Sequence, residues 1–172
     1  LFRKFVKKLG IGEVLEIPAR GEKAMPSLYS LAFGAAGCRV HLVNAEEKSK
    51  PAWRELGYEV RYHDCPDLAG TALPPDNFDL VWNFMGLARH GRKSLFLGEM
   101  NRLSKKYVLY LGVNKFNVGY YSHRMAHRFL GIPWTHGDTR FMNPFHVRDF
   151  FRKHGLETIR TGVVDTPPWP DS

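Results

Sequence analysis

Val14-Leu15-Glu16-Ile17-Pro18-Ala19-Arg20-Gly21 is the stretch on which the fold turns. Its first four residues, three of them apolar, make a short strand; Pro18 and Gly21 break it, and a helical stretch over residues 24–36 follows. The same strand-then-helix unit recurs outward from there. Arg39-Val40-His41-Leu42-Val43-Asn44 reads as a second strand, residues 48–56 as a helix, and Tyr58-Glu59-Val60-Arg61-Tyr62 as a third strand entered through Gly57. Phe78-Asp79-Leu80-Val81-Trp82-Asn83-Phe84 is a fourth strand, residues 93–103 a helix, and Tyr107-Val108-Leu109-Tyr110-Leu111 a fifth strand. Strands alternating with helices imply right-handed crossovers, so the fold class expected is α/β: a Rossmann-like, doubly wound, mainly parallel sheet with helices on both faces.

Toward the amino terminus, Leu1, Phe2, Phe5, Val6 and Leu9 recur at helical spacing opposite Arg3, Lys4, Lys7 and Lys8, an amphipathic helix suited to capping the sheet. Beyond the fifth strand the pattern changes. Residues 114–139 are rich in aromatics, histidines and glycines, with a helix expected near residues 123–130, and read as an insertion within a single domain spanning residues 1–172. Asn143 caps a further helix that carries Pro144 in its first turn and stops at Gly155; residues 156–164 supply a sixth strand. Pro167, Pro168 and Pro170 then bar a regular central strand.

The 172 residues are 44% hydrophobic, enough for one buried core. No run of about 18 apolar residues occurs, and the opening segment scatters its basic residues, so neither a spanning helix nor a signal peptide is expected and the chain is read as soluble and cytoplasmic. Cys38 and Cys65 lie too far apart for a metal-ligand pair and are expected to be reduced and buried. Lys and Arg outnumber Asp and Glu by 25 to 17, a formal charge of +8 that favours an anionic partner without any RNA-binding signature to specify one.

In open parallel sheets ligands bind beyond the carboxyl ends of the strands. Read at those ends, the chain resembles the class I S-adenosylmethionine-dependent methyltransferases. Val14-Leu15-Glu16-Ile17 matches their first strand and Phe78 to Phe84 their fourth. Glu99-Met100-Asn101-Arg102-Leu103 followed by Ser104-Lys105-Lys106-Tyr107-Val108-Leu109 matches their next helix and fifth strand, and Phe150-Phe151-Arg152-Lys153-His154-Gly155-Leu156 their late helix. The resemblance covers residues 13–164 and implies S-adenosylmethionine as cofactor, an unidentified methyl acceptor, and a seventh, antiparallel strand that this sequence does not display.

The resemblance also assigns positions. The family's first loop is G-x-G-x-G, where backbone must approach the cofactor closely; here Pro18, Arg20 and Glu22 stand at those places, with Gly21 beside them. The acidic residue that ends the second strand is replaced by Asn44, followed by Glu46 and Glu47; Asp64 falls where an acid lies near the adenine amino group. Glu16 would order the glycine loop, Asn83, Phe84 and Met85 would line the cleft, and His90 stands where a histidine orients the acceptor. Arg124, Arg128, His136 and Arg140 are candidates for an acidic substrate. His123 and His127 sit one helical turn apart, but no glutamate follows His123 as in zinc peptidases. A third ligand would have to come from His136, Asp138 or His146, so the sequence is read without a metal. Two functions lead: a methyltransferase, or a methyltransferase-like domain that has lost the cofactor and serves as a structural or interaction module with a protein partner; a basic nucleic-acid-binding domain is a third, supported by charge alone.

Overall fold

A computed structural model describes residues 2–20, 25 and 27–162. Its elements, in chain order, are α1 (Phe2–Leu9), β1 (Glu13–Glu16), α2 (Leu31–Ala35), β2 (Arg39–Val43), α3 (Lys50–Glu55), β3 (Val60–His63), β4 (Phe78–Phe84), α4 (Gly86–Arg89), α5 (Lys93–Leu103), β5 (Ser104–Leu111), α6 (Val118–Phe129) and α7 (Pro144–Lys153). Single 3-10 turns precede α3 and α7.

The five strands form one sheet in the order β3-β2-β1-β4-β5, every neighbouring pair parallel. Such strands are covered on both faces, and the burial pattern follows: Val14, Leu15, Val40, Leu42 and Val81 have no exposed surface. One face packs Val14, Val40, Leu42, Leu80 and Trp82 with Val6 of α1, Phe33 of α2 and Trp53 of α3. The other packs Leu15, Val43, Phe78 and Val81 with Phe96, Leu97, Met100 and Leu103 of α5, and half-buried Phe150 and Phe151 of α7 lie against it. Phe78 and Val81 share a face despite their odd separation because the β4–β5 register slips between Phe78 and Leu80. That irregularity turns Asp79 toward the start of β1, where its carboxylate accepts from the amides of Gly12 (2.8 Å) and Glu13 (3.1 Å) and pairs with Lys106 (2.9 Å).

Sequence and structure agree closely where periodicity is strong: β4 and α5 have the expected bounds, and α7 starts behind its Asn143 cap, whose side chain accepts from Phe145 N. Three expectations need correction. The helix before β2 forms only over Leu31–Ala35, because Ser27 takes a left-handed φ of 59° and the Ser30 hydroxyl, at the position before the helix, turns to Glu16; the stretch's start at residue 24 lies outside the described residues. The helix expected near residues 123–130 starts earlier, at Val118, because Asn117 caps it. Residues 156–162 form no strand, for Leu156 turns into the core beside α5 and α7 instead of pairing with a strand edge; Val163 and Val164 lie outside the described residues, as does the proline-rich tail. Cys38 and Cys65 are free and buried. Among the described residues no helix is long and apolar enough to cross a membrane.

Candidate functional site

The strand order reverses between β1 and β4, and the crevice outside their carboxyl ends is where an open parallel sheet receives a ligand. Glu16 ends β1 with 1% exposure. Burial pushes its carboxyl up to about 8, against a 2.6 Å bond donated by Ser30 Oγ that favours the charged form. Trp82 Nε1 in turn donates to Ser30 Oγ at 3.0 Å, so Glu16 belongs to a buried relay under the start of α2.

The chain beyond Glu16 stays in the plane of the sheet. Ile17 N donates to Trp82 O (2.9 Å) and Ala19 N to Val43 O (2.7 Å). Pro18 closes against α4, where a Cβ on Gly86 would stand 2.9 Å from Pro18 Cδ. Ser27 knots the returning loop: its hydroxyl donates to Ala19 O and accepts from Glu46 N, each at 2.8 Å, and its carbonyl accepts from Trp53 Nε1. Arg20 is exposed, while Gly21 and Glu22 lie outside the described residues.

The other sequence candidates divide between scaffold and surface. Asn44, in the left-handed region at φ 54°, donates through Nδ2 to Cys65 O and accepts at Oδ1 from Cys65 N, both at 2.8 Å. Its amide thus clips the end of β2 to the loop after β3, leaving the two nearby carboxylates to face solvent: Asp64 is exposed, and Glu46 pairs with Lys48 at 2.8 Å. Asn83 is fully buried, accepting from Leu87 N at the start of α4 and contacting Met100 Sδ. His90 accepts from Arg92 N through Nδ1 and stacks on Phe96, with ring centroids 4.8 Å apart; burial is the main cause of its lowered pKa. It shapes the turn between α4 and α5.

Residues 114–138 follow β5 and bring α6 and a returning loop to α4. Gly131, at φ 65°, lets Ile132 N reach back to His127 O and Leu130 N to Ala126 O, a glycine stop that folds residues 132–138 against α6. Trp134 lies over that helix: its ring centroid is 5.9 Å from His123, 5.3 Å from His127 and 4.7 Å from His136, and the Arg124 guanidinium sits 5.3 Å over it. The same segment then docks on α4, where Asp138 N donates to Ala88 O at 2.9 Å. Of the four residues predicted to bind an acidic substrate, Arg124 and His136 meet around Trp134. Arg128 is exposed on α6, and Arg140 is paired with Asp138 at 2.8 Å. Sequence reasoning missed Ser27, Ser30 and the Cys65 backbone, whose roles come entirely from contacts between distant segments.

No family model matches the chain, and no curated protein does. Solved structures do. Magnesium protoporphyrin IX methyltransferase from Synechocystis, with S-adenosylhomocysteine bound, superposes at a TM-score of 0.66 with 19% identity over 97% of this chain and 75% of its own. A Thermotoga maritima S-adenosylmethionine-dependent methyltransferase, a possible histamine N-methyltransferase, gives 0.61 at 16% identity over 91% and 70%. An S-adenosylmethionine-dependent methyltransferase from Aquifex aeolicus gives 0.61 at 15% identity over 92% and 81%. At these identities the likeness is one of fold: the chain has the fold of the class I S-adenosylmethionine-dependent methyltransferases.

Proposed function

We propose that this chain binds S-adenosylmethionine in the crevice beyond β1 and β4 and transfers its methyl group to an acceptor admitted beside the segment of residues 114–139. The observation that carries this is the parallel strand order β3-β2-β1-β4-β5, whose switch point falls between β1 and β4, with the segment tied to α4 behind β4 by the Asp138 N to Ala88 O bond. The residues fit the nucleoside half of the cofactor best: Asp64 and Glu46 carry carboxylates beside the ends of β3 and β2, suited to the amino and hydroxyl groups of an adenosine. Asn44 serves by clipping the intervening loops, and Glu16 and Asn83 by bracing the ends of β1 and β4. Gly21, the glycine that the sequence offers for close approach, lies outside the described residues.

When bound, the cofactor supplies an electrophilic methyl group whose in-line displacement needs chiefly a positioned acceptor. Arg124 holds a cation over Trp134 and is itself exposed, so an anionic acceptor suits this segment. His90 is assigned no proton transfer, since its ring is held by Arg92 and Phe96.

A second reading, a cofactor-free interaction module, is favoured by one feature of α6. Val118, Tyr121, Met125 and Phe129 recur along one face of that helix and are all exposed. Calorimetric titration with S-adenosylhomocysteine and S-adenosylmethionine separates the two. Saturable one-site binding supports the methyltransferase, and Arg20→Gly, which removes a long side chain from the expected approach, tightens it. No heat of binding at millimolar ligand with folded protein overturns the methyltransferase and leaves the module.

A further inference from the structure

We propose that His123, His127 and His136 form a binding site for a zinc-class divalent cation, contrary to the expectation from sequence that this segment carries no metal. His123 Nε2 stands 2.9 Å from His136 Nε2 and 3.1 Å from His127 Nε2, and the three candidate ligand atoms lie within 4.8 Å of one another. Two of these histidines come from successive turns of α6; the third is delivered by the glycine stop at Gly131.

The hydrogen-bond logic of the triad favours a cation at its centre. His127 Nδ1 lies 3.2 Å from Ile132 O, and a carbonyl only accepts, so Nδ1 carries the proton and Nε2 of the neutral ring presents a lone pair. A backbone carbonyl fixing the tautomer from behind is the usual second support of a metal-bound histidine. His123 Nε2 faces both other Nε2 atoms, yet one ring nitrogen has in its plane either one N–H or one lone pair. Hydrogen bonding within the triad therefore satisfies one of the two contacts, whereas a cation accepts from all three nitrogens at once. Zinc-to-imidazole bonds of about 2.0–2.1 Å place tetrahedral ligand nitrogens about 3.3 Å apart, so the 2.9 Å and 3.1 Å pairs need to open by only a few tenths of an ångström, with the third pair already within 4.8 Å.

The donor set selects the ion. Three imidazoles suit zinc and its first-row neighbours, whereas magnesium and calcium call for oxygen ligands. The nearest carboxylate along the segment, Asp138, is already engaged by Arg140 and its own helix-capping bond. Three protein ligands leave a fourth position for water or a ligand donor. The site stands on these side chains alone and does not depend on cofactor binding.

The test is a titration of chelator-dialysed protein with zinc chloride, followed by competition with a chromophoric chelator and by thermal melting, with magnesium chloride in parallel. One equivalent of zinc is expected to bind with micromolar or tighter affinity and to raise Tm, with no response to magnesium. His127→Ala and His136→Ala, checked for folding by circular dichroism, are expected to weaken zinc by about 100-fold or more, while His154→Gln leaves it unchanged. The proposal is overturned if wild-type protein takes up no zinc at micromolar concentration, or if the His136→Ala protein binds it as tightly as wild type.

Discussion

Replacing Glu16 by Gln isolates a titration that lies in the middle of the sheet. Folding carries this carboxyl from 4.5 to about 8, because burial removes its water while the Ser30 hydroxyl returns only one bond to the charged form. At about 1.4 kcal/mol per pH unit, an ionised Glu16 costs the folded state up to about 5 kcal/mol. The sign follows from proton binding: between the two pKa values the folded chain holds a proton that the unfolded chain has released, so stability falls as pH rises. The full contribution is present below 4.5, and the whole penalty has been incurred above about 8. Gln keeps the size and the acceptor for Ser30 and does not titrate. Any cost of its buried amide is constant with pH, so the diagnostic is the slope of the difference. Urea unfolding of both proteins between about pH 5 and about pH 8 should show the Gln variant gaining on wild type by about 1 kcal/mol per pH unit or more. A difference that stays flat across that range would refute the assignment of Glu16 as a carboxyl held protonated by burial.

Three further outcomes follow from the same structure. Asn44→Asp keeps a residue tolerant of φ 54° but sets a carboxylate against Cys65 O where Nδ2 now donates, so it should destabilise by about 1–3 kcal/mol in urea unfolding. Gly137→Ala forces a left-handed alanine whose Cβ would stand 2.9 Å from the Ala88 backbone; it should cost about 1–3 kcal/mol, with hydrogen-exchange protection lost at the Asp138 amide. Trp82→Phe deletes the donor to Ser30 Oγ and should alter the pH dependence attributed to Glu16, whereas a mutation of equal size away from that relay should not; the unfolding series described for Glu16 reads it directly.

The centre of the parallel sheet was legible because β1, β2 and β4 are largely buried on both sides and so appear as nearly unbroken apolar runs. Phe78 to Phe84 is the plainest case, with Phe78, Leu80, Val81, Trp82 and Asn83 all buried. The helix before β2 was less legible, since the apolar positions after residue 24 suit a helix while Ser27 is needed elsewhere, bonding Ala19 and Glu46 from a left-handed turn. A tertiary demand of that kind leaves no periodic trace. The sixth strand misled for a related reason: Leu156 and Ile159 are the large apolar residues of 156–162, and Leu156 packs against the core without a strand partner while Ile159 stays exposed.

At the site, sequence identified side chains correctly as polar groups near strand ends but could not say which way each one's bonds are directed. Asn44 and His90 carry the chemistry expected of ligand residues, yet both are engaged by backbone amides, Asn44 by Cys65 in the loop after β3 and His90 by Arg92 within its own turn. The histidine cluster shows the converse. The spacing of His123 and His127 fixes two nitrogens on one helix face, but the position of His136 depends on where α6 stops, and that depends on Gly131 adopting a φ of 65°. Gly131→Ala should therefore weaken zinc binding without touching a ligand, because it strains the turn that returns His136 to the helix. Zinc affinity unchanged in that variant would mean that the loop of residues 132–138 holds His136 in place without the glycine stop, and that docking of Asp138 on Ala88 alone orients it.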